Sequence, residues 1–425
     1  MTNRSQKPLI SNQFEIIALN SEKIKLSNGM PVYFLNEPDH DLIKIEFSFN
    51  AGTFYQNKKL TSVVTANLLK EGTKRKTSKE ISEIFDYYGV YTSFDPQKDL
   101  ASIGVFVLEK HLEPVLSLLE EILKEPSFPE SELEIYLKNL IQQHIVSLEK
   151  VSNVARMQFS KLLFGENHPY GQTLILSDFD NIYKDDIEQF HKKFYNANNV
   201  FCIVAGSASD RIAPILEKHF GGNDWLGENN FKKEINSEFP IADKHLFFKD
   251  NAVQSAVRVG KIFPGINHPD YHKIMIANVI LGGYFGSRLM KNIRQEKGYT
   301  YGINSAIVSL VHGSYFFVTS QIGVEFVKNA IEEIYSEISI LRTVSADEEE
   351  ISVVKNYLSG AFLRSFDGVF AKSDRLKELI AFNLDDSHFF NYINTVNSIN
   401  AEEIMRVADM YFNEKEMTEL VVGKL

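Results

Sequence analysis

The sequence predicts an α+β fold made twice: two homologous domains, each a mainly antiparallel sheet flanked by helices, facing each other like a clam shell. Three observations predict it. At 425 residues the chain is longer than one hydrophobic core usually serves. A run of segments in the first half returns in the second. Within each copy, strands and helices come in segregated runs, the pattern of sheets with helices packed to one side.

The repeat is read from matched segments. "TANLLKEGT" (65–73) answers to "IANVILGGYFGSRL" (276–289), with Asn67 and Asn278 at an offset of 211 and Val107 and Val318 at the same offset. Later pairs, Asn139 with Asn356 and Ile187 with Ile404, lie at an offset of 217. Both copies close on an apolar strand, "FCIVAG" and "ELVVGKL". The first domain is placed at 1–222, the second at 244–425, and a polar connector with glycine and proline at 223–243. Such a pair is hinge-capable, and ligands often bind between two domains.

The elements follow in order. "KIKLSNGMPVYFLNEP" alternates around Asn-Gly, the signature of a β-hairpin. "DLIKIEFSFNAGTF" is a further alternating strand. "LTSVVTANLLKEG" and "SKEISEIFDYYG" have helical period and end on glycine. "ASIGVFVLEK" is a strand, "LEPVLSLLEEILKEP" an amphipathic helix stopped by proline, and long helices follow at 130–149, 152–163 and 184–196.

Composition narrows the function. Apolar residues at 44% and charged residues at 24% describe an ordinary globular protein. A net charge of −11 with no clustered basic run argues against a nucleic-acid partner. Cys202, the single cysteine, sits in an apolar run as a buried core thiol, which leaves no intramolecular disulfide and no cysteine-rich metal site. "MTNRSQKPLISNQ" lacks the apolar core of a signal peptide, and no apolar stretch approaches about 18 residues, so a cytoplasmic protein without membrane contact is expected.

The chain resembles the pitrilysin/insulinase family of inverted-motif zinc peptidases, of the processing-peptidase type, from about residue 15 to 425. The residues that carry this are the repeat, "LKEGT" after the first long helix, "HPYG" at 168–171 and "GSRLMKNIRQEKGYTYG" at 286–302. Active members place His-x-x-Glu-His on that helix, two imidazoles for Zn²⁺ and a carboxylate for the attacking water. Aligned on "EGT", the five positions are Val63, Val64, Thr65, Ala66 and Asn67. Val63 and Ala66 have no donor atom and Asn67 is a poor zinc ligand. The third ligand, a Glu, should fall within "NLIQQHIVSL" (139–148), which has no carboxylate. No metal is therefore expected in this chain. "HPDYH" (268–272) reads as the first turn of a helix, His144 as packed or solvated, and His111 and His168 as helix-start and loop residues.

The resemblance also implies what is kept. In the family, the domain without the zinc motif brings an arginine and, seven residues on, a tyrosine to the zinc site. That spacing falls on Arg294 and Tyr301. A phenol O–H aimed at the developing oxyanion stabilises the transition state, and a guanidinium can hold a substrate carbonyl. A helix-end arginine before a tyrosine-rich strand is the plain alternative. Gly282 and Gly283 of the glycine-rich turn, with Gln254 and Ser255 on a strand read as a sheet edge (252–263), complete the candidate substrate-binding set, with ordinary packing the alternative there.

The function implied is a non-catalytic, peptide-binding subunit of a heterodimeric zinc metallopeptidase, with the zinc in a homologous partner and unfolded peptides as ligands. A structural homodimer without peptidase role and a metallopeptidase with unconventional ligands are the competing readings.

Overall fold

The computed structural model of the chain describes residues 18–37, 41–206, 209–227 and 239–425. Among the described residues eleven strands form two sheets. The first comprises β1 (Glu22–Lys25), β2 (Pro31–Asn36), β3 (Leu42–Phe49), β4 (Tyr91–Pro96), β5 (Ala101–Leu108) and β6 (Val200–Gly206), in the order β1-β2-β6-β3-β5-β4. The second comprises β7 (Lys244–Phe248), β8 (Gln254–Ile262), β9 (Thr300–Leu310), β10 (Gly313–Gly323) and β11 (Thr418–Gly423), in the order β7-β11-β8-β10-β9. In each sheet one pair is parallel, β2 with β6 and β7 with β11, and the rest are antiparallel. Dropping β1 makes the two orders identical, so the repeat read from the sequence is a repeat of topology. Among the described residues no helix is long and apolar enough to cross a membrane.

Local chemistry explains most elements. The first hairpin turns at Asn28-Gly29, where Gly29 takes φ +89 and the Asn28 side chain donates to the carbonyls of Phe220 and Gly222 at 2.7 and 3.0 Å. Helix Ser78–Tyr88 starts with a reciprocal cap: the Thr77 hydroxyl accepts from the Glu80 N–H, and Glu80 accepts from the Thr77 N–H at 2.8 Å. It ends at Gly89 with φ +63. The middle of the connector placed at 223–243 lies outside the described residues, at 228–238. Before that gap, Trp225 is buried against Phe220, 5.6 Å between ring centroids, and donates to the Tyr195 carbonyl at 3.0 Å.

Each sheet is apolar on both faces at its centre. In β6, Val200, Cys202 and Val204 point into the first core, while Phe201, Ile203 and Ala205 point the other way. The first core is closed by helices of its own half. The opposite face is closed by helix Val369–Ala381 of the second half, through Val369, Leu376 and Leu379. The second sheet mirrors this: helix Val151–Phe164 of the first half lays Ala155, Phe159 and Leu163 on Ala256, Leu420 and Val422. Each half thus lends a helix to the other. The Cys202 thiol, fully enclosed, has its pKa pushed up by burial.

Two polar clusters tie the halves. On β3, Lys44 reaches Asp374 at 2.7 Å, Ser373 at 3.0 Å and Glu46 at 3.1 Å, while Lys377 meets Glu46 at 2.7 Å. Burial alone would raise the Glu46 carboxyl, but Lys377 and Lys44 outweigh it and hold it below the usual carboxylate range. Elsewhere the Tyr170 hydroxyl donates to Asp99, whose other oxygen accepts from the Val311 N–H at 3.0 Å, and the His312 ring stacks on Phe54 at 3.8 Å.

β8 corrects the edge assignment. It lies between β11 and β10 and is paired along both sides, so no peptide strand can add to it. Ser255 is fully buried, donating to the Lys424 carbonyl at 2.6 Å and accepting from the Lys424 N–H at 2.8 Å. The free edges belong to β1 and β4 in the first sheet and to β7 and β9 in the second.

Because the Glu46 pKa is depressed on folding, its share of stability is present above the unfolded value of about 4.3 and is lost as pH falls through the folded value. Urea unfolding of Glu46→Gln is expected to show a loss of about 3 kcal/mol at neutral pH, from leaving Lys44 and Lys377 without this partner, and a flatter acid limb than the parent chain.

Candidate functional site

Helix Thr61–Leu68 carries the positions of the pentad. Its start is pinned by the Ser62 hydroxyl, which donates to the Ala51 carbonyl at 2.7 Å, and by Leu60 at φ +71. Val64 and Ala66 are fully buried, and the Asn67 amide is spent on the Val63 carbonyl at 2.8 Å. Val63 instead lines a cavity of about 420 Å³. Its walls include Thr53, Gln56, Gln97 and Gln172, the apolar Leu60 and Leu174, and three cations: Lys59, Lys98 and Arg156.

Zinc does not fit these residues. Val63 and Ala66 have no lone pair to give, and a divalent cation in the cavity would face three positive side chains. Helix Glu130–Glu149, where a third ligand would come from, does pack against helix Thr61–Leu68. It contributes a buried His144, whose ring stands 5.4 Å from Phe179. Among the described residues no group of three or more His, Cys, Asp or Glu side chains could hold a metal. His268 caps the turn before helix Tyr271–Asn278, its Nδ1 accepting from the Asp270 N–H at 3.1 Å, and His168 does the same for Tyr170 at 3.1 Å.

The arginine–tyrosine segment is built on two π-helical turns, Val279–Gly283 and Met290–Glu296, a wide helical form that clusters at functional sites. Nothing in the residue pattern announces them beyond the paired glycines. Gly282 is where the first turn touches β9: a Cβ there would lie 2.6 Å from the Ser305 hydroxyl and 2.7 Å from the Ser305 nitrogen. Gly283 would meet Val279 at 3.0 Å. Close packing therefore accounts for the pair of glycines without a ligand. Arg288 forms a two-pronged ion pair with Glu350, at 2.9 and 2.7 Å, which fixes the turn.

Arg294 sits in the second π turn with its guanidinium 4.7 Å from the centroid of the exposed Phe285 ring. Among the described residues it makes no hydrogen bond and no ion pair. The chain turns at Gly298, φ +68, and Tyr299 stacks on Phe326 at 5.0 Å. Tyr301 follows at the start of the edge strand β9 and is 90% exposed, its hydroxyl unspent among the described residues. A bulge lies here, since Thr300 pairs with Ile322 and Ile303 with Ser320, leaving Tyr301 and Gly302 opposite Gln321. Hydroxyls hold it: Thr300 donates to the Gln321 carbonyl at 2.7 Å, and Ser320 to the Gly302 carbonyl at 2.9 Å. Bulges of this kind re-aim a side chain at a sheet edge. The sequence reading missed the bulge, for which Gly302 was the only sign. Neither Arg294 nor Tyr301 lines the cavity beside Val63.

Residues 181–358 match the family model described as Peptidase M16 inactive domain. A protein of Bacillus subtilis (strain 168) named "Uncharacterized zinc protease YmxG" is 22% identical over 404 residues, spanning 93% of this chain and 96% of that one. An M16 inactive domain is thus matched over residues 181–358, and the chain is similar to M16 proteins along most of its length. The alkyl and amide groups at the pentad agree with that description of an inactive M16 domain. "Mitochondrial-processing peptidase subunit alpha-1" of Dictyostelium discoideum is 24% identical over 206 residues, spanning 46% of this chain and 30% of its own. A crystal structure of an M16 inactive domain from Pseudomonas fluorescens superposes with a TM-score of 0.88 at 21% identity, covering 96% of this chain and 99% of that one. That likeness speaks for the two-domain M16 fold.

The packing reading of Gly282 has a direct check. Gly282→Ala is expected to lower thermal stability by about 1–3 kcal/mol, read by calorimetry, because backbone of β9 must yield to the added methyl.

Proposed function

We propose that this chain is the substrate-holding, non-catalytic subunit of a two-chain zinc peptidase, lending Arg294 and Tyr301 to the zinc site of a homologous partner. Residues 1–222 and 244–425 are its two homologous domains, joined through 223–243. The observation that carries the reading is a guanidinium and a phenol, seven residues apart, neither with a hydrogen bond or ion pair among the described residues, the first half-buried in the second π turn beside Phe285 and the second exposed on the edge strand β9. The partner is a homologue with His-x-x-Glu-His, and its zinc supplies the activated water. The Tyr301 hydroxyl donates to the oxyanion formed when a peptide carbonyl is attacked, and Arg294 holds a neighbouring carbonyl of the peptide. The outward main chain of β9 is free to pair with an extended peptide, which suits unfolded substrates. The M16 alpha-subunit relative is a member of a processing peptidase, which supports a two-chain assembly.

Peptidase activity is expected only when this chain is mixed with such a homologue. In the reconstituted pair, Tyr301→Phe should lower kcat about 10²–10³-fold, and Arg294→Ala should also slow hydrolysis. Full activity of both variants would overturn the role and favour a purely structural subunit.

A further inference from the structure

The cavity beside Val63 has a second meaning. It lies where active relatives would bind a cation, yet it is lined by Lys59, Lys98 and Arg156, in a chain whose net charge is −11. Lys59 is paired with Asp178 at 3.0 Å. The other two have no such partner: among the described residues no carboxylate lies within ion-pair distance of Lys98 or Arg156. Lys98 donates to the Tyr170 carbonyl at 3.4 Å, which leaves two of its three N–H bonds unspent. Asp99, its neighbour, is turned away toward Tyr170 and Val311.

The placement is built into the fold. Lys98 rides the tight turn between β4 and β5, and that turn rests on Gly52, where a Cβ would come within 2.4 Å of the Lys98 carbonyl. Arg156 projects from helix Val151–Phe164, the helix that spans both halves. Burial lowers the Lys98 pKa, Asp99 opposes this, and Arg156 adds to the lowering. Behind Arg156 stands another cation without a carboxylate partner among the described residues: Arg258, between the rings of Phe159 and Phe317 at 5.8 and 4.8 Å, with its Nε buried and unsatisfied. Burial, with Arg156 contributing, brings its guanidinium down to about 10. Positive groups held together in this way are destabilised until an anion arrives.

We propose that this cavity binds a carboxylate carried by a peptide, either an acidic side chain or a C-terminus. Lys98 and Arg156 hold the charge, Gln172 offers an amide donor, Gln97 keeps one amide N–H beyond the one it gives Asp95 at 2.7 Å, and Leu60, Val63 and Leu174 take the adjoining methylenes. The volume of about 420 Å³ suits one or two residues. The degenerate zinc position thereby becomes an anchor for the substrate. This inference rests on the peptide-holding part of the proposed function but does not involve the partner chain. The two are tested separately: hydrolysis by the reconstituted pair reads the Arg294 and Tyr301 role, and binding to this chain alone reads the anchor.

The experiment compares three labelled extended peptides by fluorescence anisotropy: one neutral with an amidated end, one with Glu replacing Gln, and one with a free C-terminal carboxylate. At least one carboxylate form is expected to bind the full chain about tenfold or more tightly than the neutral peptide, as charge-assisted hydrogen bonds imply, with the preference fading as salt rises. Which form gains identifies the source of the carboxylate. Lys98→Met and Arg156→Gln should each reduce the preference, read as the ratio of carboxylate-peptide to neutral-peptide affinity. Arg156 is exposed on its helix, so its variant stays informative if Lys98→Met fails to fold. Equal affinities, no binding, or a preference untouched by both substitutions would overturn the proposal.

Discussion

The structure depends on one constraint: a sheet that is apolar on both faces must be covered on both. Each half carries helices for one face of its own sheet and sends one helix to the other half. Phe201, Ile203 and Ala205 would meet water without helix Val369–Ala381, and Leu420 and Val422 without helix Val151–Phe164. Separating the halves would return these side chains to water, at roughly 25 cal/mol per Å² of apolar surface. The clam shell is therefore an interlocked body, and the Lys44–Glu46–Asp374–Lys377 cluster fixes its alignment. Side chains at the exposed edge of β9 and in the cavity beside Val63 are positioned by a frame that does not open easily.

Much of this fold was legible because its signals are local or repeated. The hairpin at Asn28-Gly29, the capped helix Ser78–Tyr88 and the apolar strands β6 and β11 each announce themselves by turn chemistry or hydropathy. Sheet order is not local. "AVQSAVRVGKIF" has nothing in it to say that β11, more than 150 residues later, will pair along one side, so an interior strand was read as an edge. β4, "YTSFDP", is largely half-exposed and ends in proline, so its residues give little sign of a strand.

The site divides in the same way. Residue identity alone shows that Val63, Ala66 and Asn67 cannot hold zinc, and spacing alone picks out Arg294 and Tyr301. The π turns and the bulge that present this pair arise from how Gly282 fits against Ser305 and how Thr300 and Ser320 hydroxyls replace ladder bonds. The cavity was hidden for another reason. Lys59, Lys98, Arg156 and Gln172 are apart in sequence, and only the packing of four separate segments brings them to one cavity.

The central position of β11 also bears on how the molecule is made. Because it threads between β7 and β8, the second sheet cannot close until β11, about 170 residues after β7, has left the ribosome. The first sheet can assemble once β6 emerges, yet its outer face waits bare for a helix synthesised more than 160 residues later. For that interval the nascent chain presents Phe201 and Ile203 to solvent, so its biogenesis calls for a chaperone able to shield a greasy, half-built layer.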